Sequence, residues 1–152
     1  MPPPQGRLPS FLKNTRYVLG LIWHEPSNRK QRVKRLFLFL GWQFWKRTVK
    51  ASVVLRLFNG LQFRVYPDCQ ASSAVMYTRI PDSRDILFLR GHIGEGTVID
   101  VGANVGLVTL LLADRVQHAL LFEPNPAAAQ RARENLALNR LKFEVHELAL
   151  VE

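Results

Sequence analysis

The stretch VIDVGANVG, Val98 to Gly106, decides the fold. A β-branched run ends on a carboxylate, Asp100, and the chain passes Gly102 and Gly106 before an apolar helical pattern begins. A strand that feeds a helix through a glycine turn opens a doubly wound α/β unit, in which ligands bind beyond the carboxyl ends of the strands. Gly102 has no Cβ, so the backbone can bend there and approach a ligand, with Ala103 continuing the turn. Asn104 tolerates a left-handed conformation because its short amide can bond its own backbone. Gly106 allows the helix to pack closely on the strand. A tight turn built for packing alone predicts the same glycines.

Downstream, strand and helix patterns alternate. TVIDV reads as a strand, NVGLVTLLLAD as a helix, HALLF as a strand, PAAAQRARENLALN as a helix, and KFEVHELAL as a third strand with its loop. That order predicts parallel strands with right-handed crossovers. The expected fold class is α/β, a Rossmann-like doubly wound parallel sheet. Sheets of this class normally carry more strands, so the expectation is a sheet cut after its third strand and a chain that is the N-terminal part of a larger protein.

Upstream the period is different. In SVVLRLFNGLQFRVYP, apolar residues alternate on both sides of Asn59-Gly60, a pair suited to the positive φ angles of a tight hairpin. Asp82 is placed to cap a helix running to about Ile93, with Gly94 as its stop; the residues between Pro67 and Asp82 read as a loop. Further upstream, NRKQRVKRLFLFLGWQFWKRTVK reads as a helix with cations at its ends and aromatics between them. Val33, Leu36, Phe37, Leu40 and Phe44 follow helical spacing. The division expected is a basic helical arm over 1–51, a hairpin and lead-in helix over 52–95, and the N-terminal half of a ligand-binding domain over 96–152. Beyond Pro2–Pro4 there is no low-complexity segment and no repeat.

The 152 residues are 47% hydrophobic, a globular composition, and carry a formal net charge of +9. Met1 to Tyr66 holds 13 Lys and Arg against one acid, Glu25, whereas the remainder holds 8 against 11. Such a basic block suits polyanionic surfaces, or is simply a solvated face. Residues 29–50 could lie on an anionic membrane with Trp42 and Trp45 at headgroup level, or pack on the domain. Nucleic acid is not the expected partner, because tryptophans among leucines suit an apolar boundary better than a stacking groove. The longest apolar run, Leu36 to Trp45, is far short of the ~20 residues that span a bilayer. Cys69 is the only cysteine, the four histidines are scattered, and no metal-ligand spacing occurs. With no leader pattern at MPPPQGRLPSF, a cytoplasmic setting is expected, with peripheral membrane contact as its variant.

NAD(P), a nucleoside triphosphate and S-adenosylmethionine all suit a glycine turn, and two acids separate them. Dinucleotide folds lay a pyrophosphate against the helix N-terminus, where a carboxylate such as Asp100 would repel it. A sulfonium cofactor has no phosphate, and its cationic sulfur and ammonium group attract an acid. Glu123 ends the second strand, 23 positions after Asp100, where an acid can accept both hydroxyls of a ribose. Pro124 holds Glu123 extended. Asn125 and Pro126 suit the N-cap and first turn of the next helix.

From about Phe58 to Leu150 the chain resembles the FkbM-type methyltransferases. DVGANVG looks like their first cofactor motif, and FEPNP at this spacing looks like their second. The resemblance implies O-methylation of a hydroxyl on a sugar or natural-product type small molecule, with S-adenosylmethionine as cofactor. By that match Asp100, Gly102 and Asn104 line the methionine side of the cofactor and Glu123 the ribose, and Ala103, Gly106, Pro124 and Asn125 complete the candidate cofactor-binding set. Asn135 matches the family's asparagine in the second helix. Val108, where the family commonly has an aromatic residue, and the ending ALVE depart from the pattern. No catalytic residue is named by it. The alternatives are an NAD(P)-binding oxidoreductase domain and a non-catalytic basic module for membrane or nucleic acid.

Overall fold

The computed structural model describes residues 10–150. The leader reading at MPPPQGRLPSF falls mostly outside them, and Pro2–Pro4, Val151 and Glu152 fall outside entirely. Helix α1, Ser10–His24, leads through a 3-10 turn, Pro26–Asn28, to α2, Arg32–Thr48. Strands β1, Val53–Arg56, and β2, Gln62–Val65, form an antiparallel hairpin with Val53 opposite Val65. Helices α3, Gln70–Tyr77, and α4, Ser83–His92, follow. The last part is β3, Thr97–Val101; α5, Leu107–Leu112; β4, His118–Phe122; α6, Pro126–Leu138; and β5, Glu144–His146. The three strands are parallel in the order β3-β4-β5, as the alternating patterns predict.

Alternation fixes which residues face the core. Asp100 pairs with Leu121 and Val98 with Ala119, so these four share the face that α5 and α6 cover. The core runs from Ile22 of α1 through Phe39 and Trp42, Phe63 and Val65, and Leu110 and Leu111 to Leu136.

Several sequence expectations change. The hairpin turn has positive φ at Gly60 alone: the Gly60 N–H donates to the Leu57 carbonyl, and the Leu57 N–H to that of Leu61. This is a type I turn closed by a left-handed glycine, not a two-residue mirror turn. Asp82 precedes α4 with φ 47° and makes no side-chain cap bond, so it does not cap as expected. The segment read as a loop after Pro67 contains α3, whose serines are held by tertiary bonds: Ser72 Oγ accepts from Tyr66 N–H, and Ser73 Oγ accepts from Trp42 Nε1–H at 3.0 Å. Helix α1 carries no signal that the sequence reading used.

In α2 the periodic stripe is the outward face. Val33, Phe37 and Phe44 are each 68% exposed, while Phe39 and Trp42 are buried against the body. Trp42, with its N–H bonded to Ser73, is therefore a core residue and not a headgroup anchor. Among the described residues no helix is long and apolar enough to cross a membrane.

Candidate functional site

The glycine turn is built as its composition demands. Gly102, Asn104 and Gly106 have φ of 77°, 50° and 76°, a region that L residues enter only with strain. The N–H groups of Gly102 and Ala103 both donate to the Phe122 carbonyl, at 2.8 and 3.1 Å, tying the turn to the end of β4. A Cβ on Gly102 would have nothing within 4 Å, so that side of the turn is open. A Cβ on Gly106 would lie 3.4 Å from Ala132 Cβ and 3.5 Å from Leu121 Cδ2, so the close approach it permits is to α6 as well as to β4. Ala103 is buried beneath the turn.

Glu123 is the central acid. Its residue is only 8% exposed, and both carboxylate oxygens are fixed. Oε2 accepts from the Asn104 N–H at 2.8 Å and Oε1 from the Asn125 N–H at 2.9 Å. A carboxylate offers about four lone-pair sites, so each oxygen keeps one for a ligand hydroxyl. Glu123 thus clamps the glycine turn to the start of α6 and still presents acceptors. Pro124 follows it, exposed, and Asn125 caps α6, its Oδ1 accepting from the N–H groups of Ala127 and Ala128.

Asp100 does not bond the turn's backbone. Its Oδ2 accepts the Thr109 hydroxyl of α5 at 2.6 Å, which holds the carboxylate beneath the helix start. Asn104 does not bond its own backbone either: its Oδ1 accepts from Cys69 Sγ at 3.7 Å, at the start of α3. Asn135 is fully buried and structural, with Oδ1 accepting from the Arg64 N–H at 2.8 Å and Nδ2 donating to the Val105 carbonyl at 2.9 Å. Asp100, Gly102, Ala103, Asn104, Gly106, Glu123, Pro124 and Asn125 therefore belong to one assembly at the carboxyl ends of β3 and β4. Thr109 and Cys69 join it without having been read from the sequence. Nothing local marks them, since each arrives by helix placement.

Beside this assembly lies a cavity of about 720 Å³ between α1, α2 and α3. Asp68 and Gln70, which flank Cys69, form part of its wall, and Lys46 and Tyr77 meet there with Lys46 Nζ donating to Tyr77 Oη at 3.4 Å. Burial raises the Tyr77 pKa and lowers that of Lys46.

The fold is similar to that of solved structures. Over 64% of its length the chain is similar to the T. thermophilus 16S rRNA N2 G1207 methyltransferase in complex with AdoMet and guanosine, with TM-score 0.52 and 23% identity. Over 62% it is similar to the Pyrococcus abyssi tRNA (uracil-54, C5)-methyltransferase in complex with S-adenosyl-L-homocysteine, with TM-score 0.50 and 18% identity. The fold is that of the Rossmann-like methyltransferases. The chain spans about a quarter of the length of these structures, 27% and 23%. No protein-family model matches the chain, and no curated protein matches it in sequence. The expectation against nucleic acid is overturned: tRNA and rRNA methyltransferases share this fold, and Trp42, one of the two tryptophans on which it rested, is buried.

Proposed function

We propose that this chain supplies the cofactor-binding part of an S-adenosylmethionine-dependent methyltransferase of FkbM type that methylates a hydroxyl. The observation that carries this reading is Glu123, buried and fixed through one bond at each carboxylate oxygen to the glycine turn and to the start of α6, with lone pairs left for a ligand. The residues fit the cofactor: a bare backbone turn approaches it, one acid suits a ribose diol, and Asp100 suits a cationic methionine end.

When bound, the sulfonium supplies a methyl group on an excellent leaving group, so the protein's task is placement and exclusion of water. Asp100, Gly102, Ala103 and Asn104 would hold the methionine side and Glu123 the ribose, while Gly106, Pro124 and Asn125 set the backbone that positions them. The acceptor would enter the cavity between α1, α2 and α3, whose wall includes Asp68 and Gln70, the sequence neighbours of the Cys69 that bonds Asn104. In this scheme 1–51 is a basic arm, 52–95 a connecting hairpin and lead-in helix, and 96–152 the cofactor part. A small-molecule hydroxyl is the first acceptor class. A nucleic-acid acceptor is the second, supported by the RNA-modifying enzymes that share the fold.

Calorimetry with S-adenosyl-L-homocysteine tests the cofactor. Binding is expected, and Glu123→Ala should weaken it about ten- to a hundredfold through loss of charged hydrogen bonds. Heat with NADH and none with the thioether would replace this reading with the oxidoreductase one.

A further inference from the structure

A second, smaller pocket of about 320 Å³ lies where α2, the hairpin and α3 meet, away from the glycine turn. Its charged lining is entirely cationic: Lys34 and Arg35 from α2, Arg56 from β1 and Arg79 just after α3, with Gln31 beside them and no carboxylate. Among the described residues the ion pairs are made by Arg90, Arg115, Arg131, Arg133 and His146, and none of the four pocket cations takes part in one.

Arg35 is the anchor. Its Nη1 donates to the Val75 carbonyl at 2.8 Å, fixing the guanidinium against α3, while its buried Nε has no hydrogen-bond partner. Burial, and then the charge of Arg79, lower its pKa. Arg56 spends only one long contact, 3.4 Å, on the Gly60 carbonyl. Unpaired cations lining one partly enclosed space repel one another, and an anion placed there removes that repulsion. Arginine forks match the oxygens of phosphate in particular.

We propose that the pocket of Lys34, Arg35, Arg56 and Arg79 binds a phosphoryl group, either free or on a small phosphomonoester, or as a phosphodiester of a nucleic-acid backbone. This does not depend on methyl transfer, and its test leaves the glycine turn untouched.

The test is a calorimetric titration of the full chain with inorganic phosphate at low ionic strength, repeated with a short single-stranded RNA. Two double variants are compared, both made at exposed positions so that folding is preserved. R56Q/R79Q removes two pocket cations; R84Q/R115Q removes the same charge elsewhere. Phosphate affinity should fall about tenfold in the first and stay within about twofold in the second. If RNA affinity falls in parallel, the source is the nucleic-acid backbone; if only phosphate binding falls, it is a small phosphate. Equal losses in both double variants, or no binding of either ligand, would overturn the proposal, because the effect would then be diffuse charge or nothing. Retained S-adenosyl-L-homocysteine binding in R56Q/R79Q keeps this outcome separate from that of the cofactor reading.

Discussion

Gly102 and Gly106 hold nearly the same backbone angle, φ 77° and 76°, for different reasons. At Gly106 the space beside the missing side chain is occupied by Ala132 and Leu121; at Gly102 it is empty. An alanine at either position must hold a left-handed conformation, costing roughly 1–2 kcal/mol. Gly102→Ala and Gly106→Ala should therefore lower the urea midpoint by similar amounts. They should separate in ligand binding: the alanine methyl at 102 occupies the open side of the turn and should weaken S-adenosyl-L-homocysteine at least about tenfold, whereas the methyl at 106 makes ordinary contact with α6 and should change affinity by less than about threefold. Equal binding losses would show that the open side of Gly102 faces no ligand. The glycines and Glu123 were legible in the sequence because their work is local, a dihedral angle and a strand end. The partners that orient them were not, since Thr109 reaches Asp100 and Cys69 reaches Asn104 only after helices are placed.

At the scale of elements, one charged clamp joins three of them. Arg90 of α4 makes a bidentate pair with Asp114 just after α5, at 2.5 and 2.7 Å, and also donates to the Leu111 carbonyl at 2.6 Å. Asn59 of the hairpin turn donates to the Leu110 carbonyl and to Asp114, at 2.8 and 3.1 Å. The Arg90 guanidinium, and then Asn59, hold the Asp114 carboxyl at about 2, below its ordinary 3.8. A carboxylate with a depressed folded-state pKa stabilises the fold above its unfolded value and loses that contribution as pH falls toward the folded one. The affected window is thus about pH 4 down to pH 2. Because the Asp114 side chain is 36% exposed, solvent screening reduces the contribution to about 1 kcal/mol. Urea midpoints measured across pH 2 to 5 should fall on acidification, and Asp114→Asn should flatten that slope while lowering stability at pH 7. An unchanged slope would mean that the clamp carries no net stability. The hairpin in this clamp was legible from alternation around Asn59-Gly60. Helix α3 was not, because QASSAVMY has a short apolar stretch and its serines become favourable only when Tyr66 and Trp42 provide partners. In α2 the inner side was not legible, because the helix is apolar most of the way round at its centre and only packing selects Phe39 and Trp42.

For the whole molecule, the parallel sheet has two unlike faces. Ala119 and Leu121 on one face are buried under α5 and α6, while Ile99 and Val101 on the other are each 60% exposed, beside partly buried Leu120 and Phe122. Parallel sheets ordinarily carry helices on both faces, so an uncovered apolar face is the feature of this architecture that departs most from its class. It also gives a direct measure of what solution adds to the described chain. Burying a branched side chain stabilises a fold by roughly 1.5–3 kcal/mol, and an exposed one contributes little of that. Leu121→Ala should therefore cost about 2–5 kcal/mol by chemical denaturation, whereas Ile99→Thr and Val101→Thr should each stay within about 0.5 kcal/mol of the parent. The threonines keep β-branching, so strand propensity is not at issue. If the Ile99 and Val101 variants cost as much as Leu121→Ala, that face is covered in solution. Light scattering on the same samples then separates a second copy, whose association would weaken with each threonine, from a cover within the chain, whose mass would stay that of a monomer.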